Sequence, residues 1–253
     1  MTALLAGELP VLPSSAWKLT APPPPQCSSL QETVEADVAI IGSGFTGLMT
    51  AITLREAGKT VVVVDAIEPG WGASGRNNGQ VIPGLKWDPD VVVQRYGAIQ
   101  GARLVEWSGT APTLVFETIA KHEINCFPVQ NGWIQPAYTG ISIETIKARC
   151  NQWARRGAPV EMIPEHELEH MLGTPIFRSA WIDRRGGSIN PLAYARGLAT
   201  AAIKLGVSLY TYLRRTASYL RTHSHVRQRR NDSTNRLFCL YMVWPATNRI
   251  PSR

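Results

Sequence analysis

The feature that most restricts the fold is a glycine pattern, GSGFTG at residues 42–47, which lies between an apolar run and a helical segment. Val38–Ile41 predicts a short buried parallel strand, and residues 44–57 predict a helix. Residues 60–64 predict a second strand, which ends at Asp65. A strand, a helix and a strand within about 30 residues form the unit from which parallel sheets are built, so the pattern predicts an α/β fold.

The same spacing is typical of a dinucleotide-binding turn. Gly42 permits a tight turn, Gly44 lets a pyrophosphate approach the backbone, and Gly47 lets the helix and strand pack closely. The first N–H groups of the helix favour phosphate, and Asp65, 18 residues beyond Gly47, is placed to accept hydrogen bonds from an adenosine ribose. The predicted dinucleotide contacts are Gly42, Gly44, Phe45, Thr46, Gly47 and Asp65.

The pattern leaves the identity of the dinucleotide open. NAD and FAD carry the same ADP moiety, so the turn and its carboxylate suit both. The plainer alternative is a glycine-rich turn in an ordinary α/β protein, with Asp65 as a loop carboxylate.

A second candidate element is the glycine-rich loop, residues 71–80 with the sequence WGASGRNNGQ. Its glycines allow unusual backbone angles, and Ser74, Arg76 and Asn77 offer hydrogen-bond donors to anionic oxygens. Such a loop could bind any anion. The candidate residues are Ser74, Gly75, Arg76, Asn77, Gly79 and Gln80.

Residues 36–84 resemble the amino terminus of the D-amino-acid-oxidase-like FAD-dependent oxidoreductases. The similarity extends over roughly residues 15–211 through two further segments, 123–133 and 186–207, and is greatest for members of the gamma-glutamylputrescine oxidoreductase type. The resemblance implies FAD as cofactor, with the glycine-rich loop directed along its pyrophosphate towards the flavin. It also implies oxidation of a C–N bond of a small amine or amino acid, with O2 or another electron acceptor reoxidising the flavin. No catalytic side chain is assigned.

The resemblance implies a Rossmann-like FAD-binding domain with part of an α+β substrate domain, incomplete at its carboxyl end. We expect five segments: a leader arm (1–36), an FAD-binding βαβ unit with the glycine-rich loop (37–95), a partial substrate domain (96–185), a return to the FAD domain (186–211) and a basic tail (212–253).

Local patterns predict further elements. Residues 97–121 predict a helix that breaks or restarts at Pro112, and residues 142–156 predict an amphipathic helix. Residues 124–127 and 132–136 predict a strand pair. Asn190 is expected to cap a helix that starts at Pro191 and stops at Gly206, after which residues 207–210 return to a sheet.

The tail from Tyr212 differs from the rest of the chain. It holds nine arginines, one aspartate, no lysine and no glycine, whereas all 21 glycines precede it. We expect a frameshift or truncation near Thr211, and one alternative is therefore an FAD-binding fragment without turnover. A second alternative is a basic nucleic-acid-binding protein. Its stacking residues would be Tyr212, Tyr219, Phe238, Tyr241 and Trp244.

Two other patterns bear on function. Residues 166–170 match HExxH, but Ile176 stands where the extended zinc motif needs a third histidine, so we expect a polar, solvated helix and no metal site. Four widely spaced cysteines and the lack of an apolar span favour a cytoplasmic protein that is not inserted in a membrane.

Overall fold

The structure is a computed structural model that describes residues 11–32 and 34–212, together with the backbone of Phe238–Leu240. The helices are α1 (Ala16–Thr20), α2 (Phe45–Glu56), α3 (Pro89–Tyr96), α4 (Ala98–Lys121), α5 (Gly140–Ala154), α6 (Glu165–Leu172) and α7 (Pro191–Lys204). The strands are β1 (Val38–Ile41), β2 (Val61–Val64), β3 (Gln80–Val81), β4 (Trp133–Ala137), β5 (Val160–Ile163), β6 (Ser179–Asp183), β7 (Gly187–Ser188), β8 (Ser208–Tyr210) and β9 (Phe238–Leu240).

The chain divides into two compact units. The first comprises residues 1–78, 124–126 and 190–253, and the second comprises residues 79–123 and 127–189. These limits differ from the expected ones at 95/96 and 185/186. The reason is that β3 pairs with β7 in a two-stranded antiparallel sheet, which draws the residues after 78 and those up to 189 into the second unit.

The first unit is built on a four-stranded parallel sheet in the order β8, β2, β1, β9. The two central strands, β1 and β2, consist of valine, isoleucine and one alanine, and their Ile40 and Val63 are fully buried, as expected for parallel strands covered on both faces. Helix α2 connects β1 to β2 and buries Leu48 and Ala51. The predicted strand, helix and strand are therefore confirmed, with bounds that differ by one residue at most.

Helix α7 returns the chain to this sheet. The side-chain Oδ1 of Asn190 accepts a hydrogen bond of 3.0 Å from the N–H of Ala193, and Pro191 is the first helical residue. After Gly206, β8 pairs with β2 in parallel. The predicted cap, helix and strand are confirmed. Most of α7 is buried, so it forms much of the core of this unit.

The second unit contains a three-stranded antiparallel sheet in the order β4, β6, β5. Helix α5 lies against this sheet and begins two residues earlier than predicted, because Thr139 caps it in a reciprocal arrangement with Ser142. The larger apolar cluster consists of Val92, Val105, Ala137, Ile146, Cys150, Trp153 and Trp181. A smaller cluster joins α6 to the same sheet through Ile163, Leu168, Ala180 and Ile182.

The strand predicted at residues 132–136 is confirmed as β4, but its predicted pairing with residues 124–127 is wrong. β4 pairs with β6, and residues 124–127 form no strand. Glu123 and Phe127 both have a positive φ, of 51° and 52°, which ends any extended run on either side. Ile124–Cys126 instead joins the first unit, where the Cys126 carbonyl accepts a hydrogen bond of 2.8 Å from the N–H of Asn190.

The predicted break at Pro112 is also wrong, because α4 continues through it. A proline inside a helix leaves the carbonyl four residues earlier without its usual donor. That carbonyl belongs to Ser108, and it accepts a hydrogen bond of 2.8 Å from the N–H of Gly84. A donor from outside the helix thus replaces the missing one.

Beyond Tyr212 the structure describes only β9, which pairs in parallel with β1 so that Phe238 lies opposite Val38. The sequence predicted no strand in this segment. The expected frameshift and the proposed stacking side chains of Tyr219, Phe238, Tyr241 and Trp244 lie outside the described residues.

Candidate cofactor-binding site

The turn between β1 and α2 has the geometry that its glycines predict. Gly42 has a φ of 102°, which side chains disfavour. A Cβ atom on Gly47 would lie 2.0 Å from the Gly42 carbonyl oxygen, so only glycine allows the helix to start this close to the strand. A Cβ atom on Gly44 would lie 2.8 Å from the Oγ of Ser74. The space between the start of α2 and Ser74 therefore stays open because Gly44 has no side chain.

The amino terminus of α2 offers unpaired donors. Its cap residue, Gly44, has no side chain to accept a hydrogen bond. The N–H of Phe45 donates to the Oγ of Ser74 at 3.1 Å, whereas in the described part of the chain the N–H groups of Thr46 and Gly47 have no acceptor. Such donors, together with the partial positive charge of the helix end, favour an anion.

Asp65 fixes the same turn from the end of β2. Its Oδ2 accepts hydrogen bonds from the N–H and the hydroxyl of Ser43, at 2.6 and 2.5 Å, and its Oδ1 accepts from the N–H of Ile67 at 3.1 Å. An ionised carboxylate has about four acceptor positions. Asp65 is only partly buried and so retains capacity for a ribose hydroxyl. Ser43, which is fully buried, was not identified from the sequence as part of the site.

The first part of the glycine-rich loop packs on α7. A Cβ atom on Gly75 would lie 2.0 Å from the Gly70 carbonyl oxygen and 2.8 Å from the Cδ1 of Leu192. Gly75 therefore occupies a packing position in the described structure. This contact holds the short 3-10 helix Ala73–Gly75, and with it Ser74, beside the amino terminus of α2.

The side chains that follow Ser74 bond within the loop itself. The amide nitrogen of Asn77 donates to the carbonyl oxygens of Ala73 and Ser74, at 3.2 and 2.9 Å. The guanidinium of Arg76 lies 4.3 Å from the ring centroid of Trp71. The Nε1 of Trp71 is buried, and among the described residues it has no hydrogen-bond partner. The amide nitrogen of Asn77 thus bonds within the loop in this structure, and contact of Asn77 or Arg76 with a cofactor stays a prediction.

The structure does not place all the candidate residues in one unit. Ten of them belong to the first unit, whereas Gly79 and Gln80 belong to the second. There the Gly79 carbonyl accepts a hydrogen bond of 2.9 Å from the N–H of Ile189, and Gln80 pairs with Ser188 in β3. Contact of these two residues with a cofactor stays a prediction.

One aromatic contact at the site was missed from the sequence. The ring of Phe45 lies 5.2 Å from that of Tyr194, centroid to centroid, with the planes inclined at 54°. Tyr194 lies on α7, and its burial raises the pKa of its phenol well above the usual value. No local signal identifies this pair, because 149 residues separate its members in the sequence.

The HExxH pattern falls on α6, in the second unit. His166, Glu167 and His170 are exposed, which confirms the predicted solvated helix face. The side chain of His166 is 81% exposed, and its Nε2 lies 3.7 Å from the Oε1 of Glu167. Across residues 11–32 and 34–212, no three histidine, cysteine or acidic side chains form a group suited to a metal ion.

No helix in the described part of the chain has both the length and the apolar character needed to span a membrane.

Two known proteins of similar sequence carry the name oxidoreductase. The chain is 31% identical over 183 residues to gamma-glutamylputrescine oxidoreductase of Escherichia coli, an alignment that covers 72% of this chain and 43% of that protein. It is also 31% identical over 189 residues to the probable oxidoreductase OrdL of Haemophilus influenzae, covering 73% and 43%. The chain thus spans a little under half the length of these relatives.

Solved structures of similar fold include an amino acid deaminase and a glycine oxidase. L-amino acid deaminase from Proteus myxofaciens aligns with a TM-score of 0.61 at 22% identity, over 76% of this chain and 41% of that one. Glycine oxidase from Geobacillus kaustophilus aligns with a TM-score of 0.57 at 22% identity, over 70% and 46%. These likenesses confirm the predicted fold class, a Rossmann-like domain with part of an α+β domain.

The family match runs over residues 37–234, which takes it 23 residues beyond Thr211, the position at which we expected the resemblance to stop. The matched range includes β1, α2 and β2 with the glycine turn between β1 and α2. It also includes the glycine-rich loop, α7 and β8. The chain therefore belongs to the DAO family of FAD dependent oxidoreductases.

Proposed function

We propose that the protein is an FAD-dependent oxidoreductase that oxidises the C–N bond of a small amine or amino acid. The observation that carries this proposal is the open amino terminus of α2, which is bounded by Gly44, by the Ser74 hydroxyl and by the Asp65 carboxylate at the end of β2. Family membership supports the choice of FAD over another dinucleotide.

The residues present suit the ADP half of FAD. The unpaired N–H groups of Thr46 and Gly47 and the hydroxyl of Ser74 would hold the pyrophosphate. Asp65 would accept a hydrogen bond from the adenosine ribose while its bonds to Ser43 keep the carboxylate in place. The glycine-rich loop would lie along the pyrophosphate towards the flavin, as the resemblance to the family implies.

The chemistry divides between cofactor and protein. FAD, when bound, supplies the acceptor for the two electrons that leave the C–N bond of the substrate. The chain's own residues would bind and orient it: the first N–H groups of α2 and the hydroxyl of Ser74 would donate to phosphate oxygens, and Gly44 would permit their close approach. We assign no proton transfer to any described side chain.

The substrate we propose is a primary or secondary amine similar to gamma-glutamylputrescine. The support is the likeness to the Escherichia coli oxidoreductase of that name and to its type in the leader arm and the glycine-rich loop. We also propose that O2 or another electron acceptor reoxidises the flavin, and that the protein is cytoplasmic, which its four widely spaced cysteines support.

The test is the visible absorbance spectrum of the purified protein, recorded anaerobically with and without candidate amines. Flavin bands that an amine bleaches support the proposal, and return of the bands on admission of O2 supports O2 as acceptor. Flavin bands that no amine bleaches would leave FAD binding but contradict the amine oxidation. A protein that cannot be loaded with FAD would contradict the proposal as a whole.

A matched pair of variants localises the site. Gly44→Ala places a Cβ atom 2.8 Å from the Oγ of Ser74, at the expected approach of the pyrophosphate, so it should reduce FAD affinity. Gly72→Ala introduces the same methyl group where no atom lies within 4 Å, and it should retain FAD. Equal retention by both variants would argue against a pyrophosphate at this turn.

A further inference from the structure

The leader arm has little apolar burial to hold it in place. Its helix, α1, is five residues long and buries none of them, although Leu12 just before it is buried. Isolated helices of this length are not stable in water. The position of α1 must therefore depend on its contacts with other parts of the first unit.

The first of these contacts is Asn190, whose amide has two functions. Its Oδ1 caps α7, and its Nδ2 donates to the Trp17 carbonyl at 3.1 Å and to the Thr20 hydroxyl at 2.8 Å. Asn190 is buried, so an Nδ2 without partners would be costly. The cap of α7 and the position of α1 are thus fixed by one side chain.

The second contact is Arg196, one and a half turns further along α7. Its side chain is only 8% exposed; its Nη1 donates to the Pro22 carbonyl at 2.6 Å, and its Nη2 lies 3.5 Å from the Oε1 of Glu68. Further on, the N–H of Thr211 donates to the Ser28 carbonyl at 3.1 Å. The leader arm is therefore held at several points between residues 17 and 28.

From this fixed position the leader arm reaches the glycine-rich loop. The indole Nε1 of Trp17 donates to the Asn77 carbonyl at 3.0 Å. Asn77 holds Ser74 through its amide nitrogen, and the Ser74 hydroxyl accepts the hydrogen bond from the N–H of Phe45. A continuous series of hydrogen bonds thus connects α1 to the amino terminus of α2.

We infer that Trp17 is a positioning residue for the cofactor: through the Asn77 carbonyl, the leader arm holds the glycine-rich loop in the conformation that binds FAD. This inference rests on the proposed function. Ordering a loop costs backbone conformational entropy. Contacts that order the loop before the cofactor arrives remove that cost from binding and so raise affinity.

The test is Trp17→Phe in the full chain, which keeps an aromatic side chain, though a smaller one, and removes the indole N–H. Because one hydrogen bond is lost, FAD should bind about 3- to 10-fold more weakly in a fluorescence titration. In the FAD-free protein, the backbone N–H groups of residues 73–77 should exchange with solvent faster, with no change in the thermal midpoint. Trp107→Phe, a change at an exposed position on α4 in the second unit, is the control and should alter neither quantity.

A second variant tests Asn190, the side chain that holds α1. Asn190→Asp keeps an acceptor for the N–H of Ala193 but replaces the donor that faces the Trp17 carbonyl. It should therefore loosen the leader arm, weaken FAD binding in the same direction and leave α7 capped. Asn190→Ala loses the cap as well, so it should also lower the thermal midpoint.

The outcomes separate the two proposals. A wild-type protein that does not bind FAD contradicts the proposed function. Wild-type binding, together with wild-type affinity and exchange rates in Trp17→Phe and Asn190→Asp, overturns this inference alone. Faster exchange at residues 73–77 with weaker FAD binding, in both variants and not in Trp107→Phe, establishes it.

Discussion

A methyl group on Gly47 would lie 2.0 Å from the carbonyl oxygen of Gly42, five residues earlier in the chain. That distance is far below van der Waals contact, so the start of α2 and the end of β1 can approach this closely only because Gly47 has no side chain. The approach aims the first N–H groups of α2 into the turn, where the phosphates of a dinucleotide would bind.

Gly47→Ala should destabilise the protein by about 1–3 kcal/mol, because the helix must shift away from the strand to accommodate the methyl group. Chemical denaturation measures the change in the free energy of unfolding. Gly140→Ala is the control, since a Cβ atom on this first residue of α5 would meet no atom within 4 Å. It should be neutral or slightly stabilising. Equal effects of the two changes would contradict the packing argument.

Asp65→Asn should weaken FAD binding by about 10- to 100-fold, because it removes charge-assisted hydrogen bonds that fix the turn and that would bind the ribose. Titration with FAD measures the loss. Asp37→Asn is a matched control, because Asp37 holds the N–H and hydroxyl of Thr60 at the opposite ends of β1 and β2. If the control loses as much affinity as Asp65→Asn, the effect comes from the sheet and not from the site.

Inside an exposed helix, alanine is more favourable than proline by roughly 3 kcal/mol in helix propensity. Pro112→Ala should stabilise this protein by much less than that. The Ser108 carbonyl that the new N–H would reach already accepts a hydrogen bond from Gly84, at 2.8 Å. The unfolding free energy of Pro112→Ala relative to wild type is the measurement. A gain close to the full value would mean that the bond from Gly84 contributes little.

Cys126 should resist alkylation in the folded protein. It is completely buried, and this burial raises the pKa of its thiol to about 11, so the reactive thiolate is scarce at moderate pH. Because the folded pKa exceeds the unfolded value of about 8.5, this thiol contributes stability that is complete below that pH and declines as the pH rises towards the folded value. Iodoacetamide labelling with mass spectrometry should modify Cys126 only under denaturing conditions; rapid labelling of the folded protein would contradict the assigned burial.

The local elements of the first unit could be predicted from the sequence, because each is specified by neighbouring residues. The apolar run Val38–Ile41, the glycine turn and the cap at Asn190 express backbone preferences that act within a few residues. The position of Asp65 at the end of β2 follows from the same pattern. Candidate contacts for the ADP half of the cofactor were therefore accessible from sequence alone.

Other features were decided by partners distant in the chain. The hydrogen bond that keeps α4 continuous at Pro112 comes from Gly84, and Ile124–Cys126 leaves the predicted strand pair to join the first unit. The contact of Ser74 with Phe45 spans 29 residues, and that of Trp17 with Asn77 spans 60. Whether a donor meets its acceptor across such separations depends on the tertiary fold within each unit, which no local preference encodes.

The sequence by itself determined the glycine turn, the carboxylate of Asp65 and the strand–helix–strand order of β1, α2 and β2. These features depend on backbone angles and on short-range periodicity. Only the tertiary structure decided how the turn is held. It places the amide nitrogen of Asn77 against the Ser74 carbonyl, Gly75 against α7, and the indole N–H of Trp17 against the Asn77 carbonyl. The physical reason is that hydrogen-bond donors and small residues act through whatever lies beside them, and that neighbour is set by the fold.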